Sequence, residues 1–525
     1  MENFKNGNKI EVLDTTLRDG AQCENVSFSQ NDKLLISKYL NEFEISFVEA
    51  PAFDKKDLDF YSEFKKLDLN FSKICAFGST RRKDAKCEDD AGLLNLLMAE
   101  TQVVSIVGKS WDFHVKEILQ TSMEENLNMI KSSVEFLKKK NKYVIFDAEH
   151  FFDGFLNNRM YAKKALEAAS NGGADVLCLC DTNGGADPLK VFAIVKEVCE
   201  NFKDKIIGIH CHNDNGFAAI NTVLAAEAGA RHIQGTFNGI GERCGNANLS
   251  TIIPYLQIKK GFDIVASSKM ELLRETAVKI SDISNISLSA QEPYVGSGAF
   301  THKAGMHADG VLKTAVSFEH IKPEIVGNER RFPISQISGK KVIADKIYKN
   351  YPNLSYNSQE IEKILDKLKD LEDKGYQFES AEASFMLAVK RVLNDYAPTF
   401  ELVSFKTIIE QPAIEGVAAS AIIKIRVGDK KEISSAEGEG PVNALDKALR
   451  MALSKFYPQI QKISLTDYKV RVLDPHKATG SRVRVLITST DGKNSWTTVG
   501  VSSDIIQASF DALRDSFEYK LLNLV

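Results

Sequence analysis

Eight short runs of apolar, β-branched residues recur roughly every 25–40 positions through the first half of the chain, and this rhythm limits the fold more than any other feature. They are IEVLD (10–14), ISFVEA (45–50), KICAFG (73–78), VVSIVG (103–108), YVIFDAE (143–149), VLCLCD (176–181), IIGIHCH (206–212) and HIQGTFN (232–238). Stretches of helical period lie between them, among them Gln30–Glu42, Met123–Lys139, Ala162–Asn171, Pro188–Asn201 and Ala218–Ala228. Eight strands alternating with helices predict an α/β chain whose catalytic domain is a closed TIM (β/α)8 barrel, not an open doubly wound sheet. No G-x-G-x-x-G follows an early strand, which argues against a dinucleotide fold.

The chain has 525 residues, so a barrel occupies only about half of it. A barrel at 1–265 is expected to lead into connector subdomains at 266–398. These comprise the loop-like VGSGAFTHKAGMHADG (295–310) and helical patterns at Gln359–Lys374 and Ser380–Asn394. Tyr396-Ala397-Pro398-Thr399 marks a boundary, and residues 399–525 contain a repeat. Residues 422–453 and 483–517 each read as strand, turn, strand, Gly-rich loop and helix, the pattern of a duplicated βββα module that dimerises or binds a ligand. His476, the module's one histidine, reads as a loop residue.

A formal net charge of −4 gives no electrostatic reason to expect nucleic acid or an anionic membrane as partner. MENFKNGNKI at the N-terminus lacks an apolar signal core, and no apolar run is long enough to span a bilayer. The eight cysteines include no C-x-x-C pair and several lie inside strand-like runs, so they read as reduced thiols. A cytoplasmic enzyme is the expectation.

Active sites of such barrels gather at the C-terminal ends of the strands. The first strand ends in DTTLRDG with Asp14, Arg18 and Asp19. The fifth ends in DAEHFFD with Asp147, Glu149 and His150, and the sixth in CDTNGG with Asp181, Thr182 and Asn183. The seventh ends in HCHND, and the eighth in FNGIGERCGN with Asn238, Glu242, Arg243 and Asn246. Side chains alternate along a strand, so His210 and His212 share a face, while Cys211 and, if the fifth strand continues, His150 point away from theirs. Asp19, His210, His212 and Asn246 together offer the mixed oxygen and imidazole set that a divalent ion accepts, with positions left for substrate. Mn²⁺, Mg²⁺ and Zn²⁺ all suit it. Such an ion polarises a carbonyl. Arg18 suits a carboxylate or a developing oxyanion, and Glu149 and His307 are acid/base candidates. The sum fits carbon–carbon bond chemistry on a 2-oxo acid.

LDTTLRDGAQ (13–22), HCHNDNG (210–216), NGIGERCGNANL (238–249) and THKAGMHADG (301–310) resemble signatures of the 2-isopropylmalate, homocitrate and citramalate synthases. FGSTRRKDAKCEDD (77–90), GKSWDFHV (108–115), DAEHFFDG (147–154), CDTNGG (180–185) and GYQFESAEASF (375–385) are similar to the long-type citramalate synthase branch. The resemblance implies an acyltransferase of isoleucine biosynthesis that condenses acetyl-CoA with pyruvate. It implies metal binding by Asp19, His210 and His212, with Asn246 as a weaker ligand, a keto-polarising Arg18 and a carboxylate-binding Thr182. It implies proton handling by Glu149 and His307. The loop carrying His307 and the substrate-binding Asp309 would come from the partner in a domain-swapped homodimer, and the C-terminal module would be allosteric, with isoleucine as feedback ligand.

Two departures stand out. EAPAFD (49–54) replaces the branch's Gly-Gly-Trp-Pro-type stretch, and Phe318, in VSFEHIKPE (316–324), stands where family members often carry a tyrosine. The rival readings are a 2-isopropylmalate or homocitrate synthase and a metal-dependent lyase or aldolase of the hydroxymethylglutaryl-CoA lyase type. A third is an amino-acid sensor that has lost its site.

Overall fold

The computed structural model describes residues 8–67, 69–303, 305–332, 358–378, 381–393, 396–414, 417–473 and 480–522. The chain forms two compact units. One comprises residues up to Phe300 together with Ile321–Arg330, the other Thr301–His320 with Arg331–Val525.

The first unit is a closed parallel barrel of eight strands in sequence order. They are β1 (Glu11–Asp14), β2 (Phe47–Pro51), β3 (Lys73–Ser79), β4 (Val103–Lys109), β5 (Tyr143–Glu149), β6 (Val176–Asp181), β7 (Ile206–Cys211) and β8 (His232–Gly235). β1 closes on β8 through pairs such as Asp14 with Gly235. Alternation along the strands sorts two cores. Val12, Val48, Ala76, Val104, Phe146, Leu177, Ile209 and Ile233 pack outward against the helices. Leu13, Phe47, Cys75, Val103, Ile145, Cys178 and Cys180 fill the interior.

Helix starts follow local chemistry. Ser29 and Asp32 form a reciprocal capping box before Gln30–Glu42, Ser122 caps Met123–Lys139, and Asp187 caps Pro188–Asn201 with proline in its first turn. The helix after β5 runs Phe151–Gly172, well before the expected start at Ala162. Asn158 breaks it with φ −146°, and its side-chain oxygen accepts from Tyr161 N at 3.2 Å, so the periodic pattern begins at a cap inside a longer helical run. β8 ends earlier than HIQGTFN suggests, because Phe237–Gly239 turns with Asn238 in the left-handed region.

The second unit contains the duplicated βββα module. β9 (Glu401–Ile414), β10 (Val417–Val427) and β11 (Lys430–Gly438) form one antiparallel sheet, followed by the helix Pro441–Ser454. β12 (Ser464–Val472), β13 (Val483–Thr490) and β14 (Ser495–Ser502) form the other, followed by Ile505–Leu522. Ile423 and Ile425 pack with Leu445, Leu449 and Phe510 in one core. Helices Ser358–Asp373 and Glu382–Val392 pack Ile364, Leu368, Phe385 and Val389 against Val499 in another. His476 lies outside the described residues.

Candidate metal centre and active-site pocket

At the C-terminal end of β1, Asp14 accepts from Thr16 N at 2.9 Å and Thr16 Oγ1 at 3.0 Å, and Phe237 N donates to that same hydroxyl at 3.1 Å. The turn so pinned carries Arg18 and Asp19 to the barrel mouth. His210 and His212, on one face of the β7 end, hold their ring centroids 5.2 Å apart. His210 Nε2 lies 3.4 Å from Asp19 Oδ2. One ligand atom from each of Asp19, His210 and His212 falls within 4.8 Å of the others, and all three residues are buried.

Asn246 joins them through a backbone bridge to His212. The loop before it depends on Gly245, whose φ is +87° and whose position would put a Cβ 2.0 Å from Gly239 O. That closeness lets Asn246 N donate to Gly239 O at 3.0 Å and seats the amide in the interior.

Buried polar atoms are normally paired. Here Asp19 Oδ2, His212 Nδ1 and both amide atoms of Asn246 are buried with no hydrogen-bond partner among the described residues. Three of these, Asp19 Oδ2, His212 Nδ1 and Asn246 Oδ1, are lone-pair atoms on residues expected to be ligands, and they fit a cation. The charge state agrees. Burial, reinforced by His210, pushes the His212 imidazole down to about 3, so the ring is neutral and keeps a lone pair. Burial raises Asp19, but Arg18 and then the two histidines outweigh it and hold the carboxyl below its ordinary value.

Arg18 is gripped from two sides. Nε donates to Glu49 Oε2 at 2.6 Å and Nη1 pairs with Asp19, while the guanidinium carbon sits 4.0 Å from the Phe77 ring centroid. Burial outweighs the pull of Arg18 and raises the Glu49 carboxyl to about 8. A pocket of about 240 Å³ opens here. It is lined by the polar Arg18, Asp19, His210 and His212, the apolar Phe53, Phe77 and Val107, and Glu149, Thr182 and Glu242.

Glu149 forms an ion pair with Lys109. Thr182 Oγ1 accepts the backbone N–H of His150 at 2.8 Å, so its hydroxyl proton is free to donate into the pocket. His150 was expected to face away only if β5 continued. Instead β5 stops at Glu149, His150 takes φ +53°, and its backbone serves Thr182. Its ring packs 4.3 Å from His114, which in turn stacks on Trp111. Cys211 does face away, into the outer core.

His307 and Asp309 belong to the second unit, on the helix Gly305–Lys313. His307 is exposed and stacks on Phe318 at 4.3 Å, while Asp309 pairs with Lys313 at 2.6 Å. Two residues escaped the sequence reading. Glu49 was hidden in the departing EAPAFD stretch, though a carboxylate at a strand end was a signal. Gln234 was given no role, although it shares the inward face of its strand with His232.

Comparisons with known proteins agree along the chain. Residues 9–287 match the HMGL-like family, 294–376 the homocitrate synthase post-HMGL domain-like family, and 379–521 the LeuA allosteric (dimerisation) domain. An (R)-citramalate synthase from Aquifex aeolicus (strain VF5) is 47% identical over 517 residues, covering 98% of both chains. One from Geobacter sulfurreducens is 44% identical, covering 98% of this chain and 97% of its own. The crystal structure of a Bacillus subtilis HMG-CoA lyase aligns with a TM-score of 0.46 at 21% identity, over 54% of this chain and 95% of that one.

Proposed function

The chain belongs to the (R)-citramalate synthase family, acyltransferases that convert acyl to alkyl on transfer, and from that premise we propose how its residues join acetyl-CoA to pyruvate. Divalent-metal dependence comes with the HMGL-like family. Asp19, His210 and His212 would hold the ion with Asn246 as a weaker ligand, and Mn²⁺ or Mg²⁺ would suit a carboxylate oxygen, an amide oxygen and two imidazoles. The bound ion supplies Lewis-acid polarisation of the 2-oxo group.

The remaining steps fall to side chains. Glu49 and Asp19 fix the Arg18 fork, leaving N–H groups for the keto oxygen as it gains negative charge. Thr182 donates its hydroxyl to the substrate carboxylate. Glu149 and His307 manage the proton that leaves the acetyl methyl group, and Asp309 binds substrate beside His307. The helix carrying these two reaches the site from a second copy in a homodimer. The resulting carbon nucleophile attacks the keto carbon, and water then cleaves the thioester, releasing CoA. Phe53, Phe77 and Val107 favour a substrate with only a methyl group beyond the carbonyl. No helix among the described residues is long and apolar enough to cross a membrane, and we place the enzyme in the cytoplasm. The LeuA-type module is the dimerisation and allosteric domain, and isoleucine is the proposed effector.

The observation that carries this reading is the cluster of orphaned buried atoms beside a clamped arginine. Free-CoA release with acetyl-CoA, Mn²⁺ and separately pyruvate, 2-oxoisovalerate or 2-oxoglutarate tests it. Release with pyruvate, lost in His212→Ala, is expected. Preference for 2-oxoisovalerate would overturn the substrate assignment, and no release with any oxo acid would overturn the reaction.

A further inference from the structure

The interior of this barrel carries a polar thread where branched apolar side chains usually pack. Gln234 is its centre. His210 Nδ1 lies 2.9 Å from Gln234 Oε1, and Gln234 Nε2 donates to Asp147 Oδ1 at 2.9 Å. Asp147 Oδ2 accepts from Ser105 Oγ at 2.6 Å. Gln234 Nε2 also lies 3.4 Å from His232 Nε2. Gln234, Asp147, Ser105 and His232 are all essentially removed from solvent.

The donor and acceptor inventory leaves little freedom. A carboxylate only accepts, so Asp147 takes the Gln234 amide N–H₂ and the Ser105 hydroxyl. The Gln234 oxygen must then face His210, which a neutral ring can meet only with a proton on Nδ1. That choice leaves the lone pair on Nε2, the atom 3.4 Å from Asp19 Oδ2 and directed to the cation site. A flipped amide would set oxygen against oxygen at Asp147, a costly fault in a buried setting.

We propose that Gln234, locked by Asp147, is the positioning residue that sets the ring orientation and tautomer of His210 for a divalent cation. The inference rests on the metal-site reading given above. It assigns Gln234 no contact with substrate. Metal-ligating histidines gain affinity from such outer partners, and losing one typically weakens binding about 10–100-fold.

The test is Mn²⁺ affinity of the full-length protein without substrate, read from the free Mn²⁺ signal by electron paramagnetic resonance. His212→Ala is the control for the site itself. Gln234→Met keeps the volume and removes both hydrogen bonds. Gln234→Asn keeps an amide but withdraws it from His210. Each is expected to weaken Mn²⁺ binding at least tenfold. Gln234→Glu keeps an oxygen facing His210, so it is expected to bind Mn²⁺ more tightly than Gln234→Met. Two variants guard against a misfolded one, with circular dichroism as the check. Wild-type affinity in either folded variant, or a Gln234→Glu protein as weak as Gln234→Met, overturns the proposal. Wild-type Mn²⁺ binding by His212→Ala overturns the metal-site reading instead.

Discussion

Arg18 Nε and Glu49 Oε2 stand 2.6 Å apart at the mouth of the barrel, joining the loop after the first strand to the end of the second. Glu49 is fully buried, and its carboxyl is held against the guanidinium. Glu49→Gln keeps the shape and removes the carboxyl. Catalytic efficiency with pyruvate is expected to fall roughly 10–100-fold. Mn²⁺ affinity is expected to stay within threefold, because Glu49 touches none of the four metal-site residues. Steady-state kinetics beside Mn²⁺ titration checks the split, and unchanged kinetics would remove the clamp from the mechanism.

Asn246→Ala separates binding from folding. Its amide atoms have no hydrogen-bond partner among the described residues, so deleting them is expected to change stability by less than about 1 kcal/mol. Mn²⁺ affinity should drop about tenfold, the scale on which a weak ligand contributes. Urea unfolding without metal gives the first number and Mn²⁺ titration the second. A large loss of stability would mark the amide as a turn former only.

Thr182→Val removes a hydroxyl and leaves the His150 N–H without its acceptor. The KM for pyruvate is expected to rise about tenfold or more while the Mn²⁺ affinity holds, and Thr182→Ser should recover most of the loss. An unchanged KM in the valine variant would exclude Thr182 from carboxylate binding.

Burial raises Asp14 from an ordinary 3.8 to about 7, against the hydrogen bonds from Thr16 and Phe237. Between pH 4 and 7 the native state therefore holds a proton that the unfolded chain has lost. Stability contributed by this group falls as pH rises across that window and is level above it. Asp14→Asn cannot ionise, so its stability relative to wild type is expected to climb from pH 4 to pH 7, by a few kcal/mol at most. Urea midpoints measured at each pH check the slope. A flat difference would show that Asp14 does not titrate there.

Local patterns were the legible part of this chain. His210 and His212 announced a shared face because strand alternation is a two-residue rule, and β5 and β6 run over 143–149 and 176–181 as their apolar runs predict. The duplicated module was visible because its two copies repeat the same order of strand, turn and helix. What stayed hidden depends on closure of the barrel. Arg18 meets Glu49 across 31 positions and Gln234 meets Asp147 across 87, and no window of sequence contains either pair. The orientation of His150 was left open for a different reason. Whether a strand runs one residue further decides which side a residue faces, and strand ends are set by tertiary packing.

The thread from His210 through Gln234 and Asp147 to Ser105 places hydrogen-bonding side chains where aliphatic ones would pack more tightly. Anyone engineering this enzyme for heat tolerance would be drawn to those positions, since filling a barrel with valine and isoleucine is the obvious gain. The variants that survived heating best would then be the ones that had forgotten how to aim a histidine. A thermal screen run without an activity screen would select against the catalyst.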